Sequence, residues 1–150
     1  MPSTLVELNT DTNKERKMGM SEEEQLAEQH EKMMQQMEFF RTAPTRFLAA
    51  WKRGCLISPQ YFGDGTVEGI EAATDKWQLA PNTEAIKKAV RSKSPGAVIF
   101  LAALGSFYND ATSRKIQKAA GQSDGVGNLL RMDWERRQVI ADLLVNYAGW

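Results

Sequence analysis

The run AVIFLAAL, Ala97 to Leu104, is the longest uninterrupted apolar stretch in the chain, and it limits what the chain can fold into. Taken alone, such a run suits either a strand buried on both faces or a helix buried all round. Ser94-Pro95 stands just before it and reads as an N-cap followed by the first helical residue, where the missing N–H of proline costs nothing. The run is rich in alanine, and the sequence offers no second strand candidate to pair with it. The expected fold is therefore all-α, with this segment as the central helix. About six or seven helices are expected in one compact domain over residues 21–150. Residues 1–20 are polar and aperiodic and are expected to form a flexible tail.

Cap and break signals place the other helices. Ser21 with Glu24 gives a capping-box spacing, and Leu26, His30, Met33, Met37 and Phe40 then recur at intervals of four and three, a short heptad seam. That seam is expected to pack against the chain's own core, with a short dimer contact as the alternative. Thr42 and Pro44 suggest the start of a second helix, with Phe47, Leu48 and Trp51 inward and Gly54 at its end. Thr66 opens a helix carrying Val67, Ile70, Ala73 and Trp77 on one face. Asn82 caps the next, with Ile86 and Val90 inward and Lys87, Lys88 and Arg91 outward. Leu104-Gly105 reads as the end of the central helix and GSFYN as a turn. Asp110 to Ala120 forms the next helix, closed by Gly121. A last helix, from Leu129 or Asp133 to Tyr147, shows Val139, Ile140, Leu143, Leu144 and Tyr147 as one stripe.

Composition excludes much chemistry. One histidine and one cysteine leave no His pair for zinc, no Cys-x-x-Cys and no internal disulfide, so neither a metal, a cofactor nor an enzymatic role is expected. GDGTVEG (Gly63 to Gly69) spaces its glycines one residue off the dinucleotide fingerprint and has no strand before it. The apolar run is far shorter than the roughly 20 residues a membrane span needs. With no secretory signal and a lone thiol, a cytoplasmic protein is expected.

Two surfaces remain as candidates for function. Met33, Met37 and Phe40 in the first helix, with Trp134 off the stripe of the last, are suited to binding a protein partner or to self-association. Lys and Arg balance Asp and Glu at 19 each, yet residues 84–120 carry seven basic and two acidic side chains. Lys87, Lys88, Arg91 and Lys93, together with Thr112, Arg114, Lys115 and Lys118, are the types that contact nucleic acid from a helix-turn-helix-like face. A protein-binding or assembly module is the leading expectation, and a small DNA-binding accessory or regulatory protein is the alternative. The Asp110–Ala120 helix is itself expected to be structural.

Overall fold

The computed structural model describes residues 18–122 and 126–150. The chain divides into two units, Met1–Arg41 and Thr42–Trp150. The tail expected over residues 1–20 lies almost wholly outside the described residues. Among the described residues the fold is all-α, with six α-helices and no strand beyond an isolated bridge between Phe62 and Pro81. The helices are α1 (Glu22–Ile57), α2 (Val67–Ala72), α3 (Thr83–Ala89), α4 (Pro95–Tyr108), α5 (Asp110–Ala120) and α6 (Trp134–Val145). Short 3₁₀ turns cover Pro59–Tyr61, Lys76–Leu79, Val90–Ser92 and Val126–Arg131.

The caps act as their sequences indicate. Ser94, Thr66, Asn82 and Asn109 each accept a hydrogen bond from a backbone N–H three residues on, at 3.4, 3.0, 3.1 and 2.7 Å. Gly121 ends α5 with φ of +68°, a left-handed conformation that favours glycine. α4 is buried around most of its circumference, from Val98 through Leu104, as an all-round apolar helix should be.

Three expected breaks are not breaks. α1 runs straight through Thr42 and Pro44, so the two helices expected there are one. Proline's fixed φ suits a helix, and its missing N–H takes a partner only from the carbonyl of Phe40, an exposed residue. Beyond Pro44, the buried stripe of Ala43, Phe47, Ala50, Trp51, Gly54 and Cys55 favours continuing the helix. Gly54 lies inside α1 rather than at its end. A Cβ there would come within 3.1 Å of Val139 Cγ1 and 3.2 Å of Leu104 Cδ2. Gly105 likewise lies inside α4, which continues to Tyr108, and its Cβ would stand 3.0 Å from Thr112 Cγ2 and 3.2 Å from Ile116 Cδ1. Both glycines permit close helix contacts. The turn expected over GSFYN shrinks to Asn109, which ends α4 and caps α5.

Two faces are narrower than their patterns suggest. In α6, Val139 and Leu143 are buried and Ile140 partly so, whereas Leu144 is exposed and Tyr147, also exposed, lies beyond the helix's end at Val145. In the Thr66 helix, Val67 is exposed and Trp77 falls outside it, on the Lys76–Leu79 turn. The core of the second unit centres on Trp51, fully buried, whose indole N–H donates to the Leu79 carbonyl at 3.1 Å.

Gly105→Val tests the close approach of α4 and α5. A branched side chain would press on Thr112 and Ile116, and overpacking of this kind costs about 1–3 kcal/mol. Thermal unfolding followed by circular dichroism should show the melting temperature lowered by several degrees, with helix content retained before the transition.

Candidate functional site

The seam of the first helix is exposed, not packed on a core as expected. Leu26, Met33, Met37 and Phe40, with Met34 beside them, are each between 50% and 68% exposed, and His30 is exposed among them. The helix itself is held locally. Ser21 and Glu24 form a reciprocal capping box at 2.8 and 3.3 Å. Lys32 pairs with Glu28, Gln35 Nε2 donates to Glu31 at 3.2 Å, and Arg41 forks onto Glu38 at 2.6 and 2.9 Å. These pairs, three or four residues apart, lie off the seam and support a helix without tertiary packing. The Glu38 hydrogen bond and charge hold the Arg41 guanidinium above its usual pKa.

The basic helices are neighbours. α3 packs against α5, and Arg91 Nε reaches the Ala119 carbonyl at 3.4 Å. Lys88, Arg91, Arg114, Lys115 and Lys118 are exposed, while Lys87 and Lys93 are half-buried. Several are already engaged: Lys87 with Glu84 at 3.2 Å, Arg114 with Asp110 at 2.6 Å, and Lys93 over the Tyr61 ring at 5.1 Å. Thr112 is buried. Its methyl is turned to Gly105 and its N–H is taken by the Asn109 cap, so it stands apart from the basic side chains grouped with it.

Trp134 is 74% exposed at the first turn of α6. Asp133 caps that turn, accepting from the Arg136 N–H at 3.0 Å and pairing with the Arg136 side chain. Arg137 donates to the Met132 carbonyl at 2.7 Å and to the Leu130 carbonyl. The Arg136 backbone N–H, aided by the Arg136 and Arg137 charges, holds the Asp133 carboxyl below the usual carboxylate range. The stabilisation from this cap is therefore present above that range and lost as pH falls through the lowered value.

Sequence reading missed the aromatic cluster around Trp150. Its ring meets Trp51 at 4.8 Å, Tyr108 at 5.2 Å, Trp77 at 5.6 Å and Phe47 at 6.0 Å. Lys76 donates to the Gly149 carbonyl and lies over the Phe47 and Trp150 rings, and desolvation lowers its pKa. A cleft of about 400 Å³ lies beside it, lined by Phe47, Leu48, Asp75, Lys76 and Gly149 among others. Its charged groups are occupied, since Asp75 accepts from the Trp77 N–H at 2.6 Å. No local sequence signal joins these rings, which come from four separate segments.

The chemistry-bearing residues are placed apart. Among the described residues no cluster of three or more His, Cys, Asp or Glu side chains could hold a metal ion, and no helix is long and apolar enough to cross a membrane. In the glycine-rich loop, Asp64 accepts from the Thr66 N–H at 2.9 Å and its hydroxyl at 2.7 Å, taking donors that a phosphate would need and lowering its own pKa.

Cys55 is fully buried, and desolvation pushes its thiol pKa far up. The neutral thiol should therefore persist at mildly alkaline pH. A thiol-specific reagent should label Cys55 negligibly in the native protein and stoichiometrically after denaturation; rapid native labelling would contradict the buried placement. No protein-family model, curated protein or solved structure matches the chain.

Proposed function

We propose that the protein is an α-helical protein-binding or assembly module, acting by contact rather than by chemistry. The exposed apolar seam of α1, centred on Met33, Met37 and Phe40, carries the proposal. Fully burying a large apolar side chain contributes about 1.5–3 kcal/mol. Five such side chains, each 50–68% exposed, have roughly 4–9 kcal/mol of this left to gain, within the about 4–15 kcal/mol that association costs. A gain of this size suits weak, reversible binding, and the flexible thioethers suit a surface that adapts to its partner. Trp134 is a second candidate anchor. The buried, solitary thiol fits a reducing compartment, which we take to be the cytoplasm.

A photo-crosslinking amino acid in place of Met34 tests this reading in living cells. A discrete protein adduct is expected, and Met33→Glu/Met37→Glu should abolish it. Absence of an adduct, with a functioning crosslinker at the same position in purified protein, would remove the basis for the reading.

One observation favours a second reading, nucleic-acid binding: α3 and α5 lie side by side, bringing two basic segments together. Binding to generic duplex DNA over a salt series tests it. Nucleic-acid binding requires affinity that falls steeply with salt and is lost in both Lys88→Glu/Arg91→Glu and Lys115→Glu/Lys118→Glu. No binding at low salt would end this reading.

A further inference from the structure

We infer that the occupant of the α1 seam is a second copy of the same chain, paired antiparallel. The inference rests on the protein-binding reading above and names its partner. The four-three spacing is that of helices meeting knobs into holes, which fits another helix of the same kind. In this register His30 and Met37 take a positions, and Leu26, Met33 and Phe40 take d positions.

The residues beside the seam favour self-pairing. Ala27 and Met34 flank it on one side, and Gln29 and Gln36 on the other, all uncharged. The carboxylates of Glu24, Glu28, Glu31 and Glu38 fall on the remaining positions, away from the seam. Charge enters only at the ends of this face, Glu22 and Glu23 at one and Arg41 at the other, and an antiparallel pair sets each end beside the opposite sign, with Phe40 opposite the partner's Glu23.

The same flanks select the orientation. An antiparallel pair places a against d, so Leu26 meets the partner's Met37 and His30 meets the partner's Met33. Met34 then lies beside the partner's Ala27, and Gln29 beside the partner's Gln36. Over the central heptad one flank is apolar and the other pairs amides, which can donate to and accept from each other. A parallel pair would instead set Gln29 beside the partner's Met34, leaving an amide against a thioether on both sides.

The area is adequate. Half of a large apolar side chain is on the order of 100 Å², and five such side chains are at least half exposed. Two faces together present roughly 1,000 Å², the lower bound for a specific interface. A reversible dimer is expected rather than an obligate one.

The test uses the full chain. At high micromolar concentration, sedimentation equilibrium should give twice the chain mass of 16.8 kDa. Met33→Glu/Met37→Glu should give the single-chain mass while keeping the thermal transition of the Thr42–Trp150 unit. Leu26→Cys and Met37→Cys report the orientation. Under mild oxidation each alone should form no disulfide dimer, because identical positions stand about 16 Å apart along an antiparallel pair. A mixture of the two should form the heterodimer. Native Cys55 is buried and contributes no background. A wild-type single chain, a dimer unaffected by the two glutamates, or disulfides from either cysteine variant alone would overturn the inference. A wild-type single chain whose position 34 crosslinks a different protein overturns the second copy and leaves the protein-binding reading standing. A single chain with no adduct at all removes both.

Discussion

A helix that is apolar on every side cannot stand at a surface, and the second unit is arranged around that constraint. α4 carries almost no polar group between Ala97 and Leu104, so neighbours must surround it. α5, α6 and the Val126–Arg131 turn all pack on it. The second half of α1 approaches it through Gly54, where the absence of a side chain lets Leu104 and Val139 come close. Gly105 serves the same end on the α5 side. Helix axes can approach closely only where one partner gives up its side chain, so these two glycines help fix the spacing of four helices.

The aromatic cluster ties the rest of that unit together. Trp51 on α1 stacks with Phe47, meets Phe62 edge-on and holds the Leu79 carbonyl, so one side chain links α1 to both connecting turns. Trp150 closes the cluster from the other direction. Lys76 lies above it, its ammonium over the Trp150 ring and donating to the Gly149 carbonyl. Arg46 Nε donates to Asn146 Oδ1 at 2.7 Å, and Asn146 Nδ2 donates to the Asp142 carbonyl at 2.8 Å, fixing the segment after α6. The segment carrying Trp150 is thereby held at both ends, which explains why a residue at the end of the chain is partly buried.

What the sequence reveals follows the range of the interactions. Caps are legible because the donor and acceptor lie three residues apart: Ser94, Asn82, Thr66, Asn109 and Asp133 all stand where their types suggest. Pro44, Gly54 and Gly105 are misleading because each has two meanings, a break or a contact, and only a distant partner chooses between them. Thr112 has the polarity of a surface residue, yet its methyl is needed against Gly105. The Trp150 cluster is invisible for the same reason, since its rings come from positions 47, 51, 77 and 108. The candidate surfaces are legible in part. The residue types of the α1 seam and the basic helices are plain in the sequence, but their exposure and adjacency are not.

α1 carries two hydrophobic patterns in one uninterrupted helix. From Ala43 onward the buried positions widen to Ala43, Phe47, Ala50, Trp51, Gly54 and Cys55, a broad stripe that matches 3.6 residues per turn and faces a core. Before Thr42 the pattern narrows to the four-three seam, with polar and charged groups occupying most other positions. A broad stripe suits packing within a globular unit, where several elements press on one helix. A narrow seam suits one further helix lying alongside. The exposure of the seam agrees with this difference: the broad stripe is satisfied within the Thr42–Trp150 unit, and the narrow one still presents Met33, Met37 and Phe40 to solvent. Had the first half been meant only to be soluble, glutamates at those three positions would have served the helix as well as they do at Glu24, Glu31 and Glu38. Apolar side chains there weaken solubility and add nothing to the local hydrogen bonds.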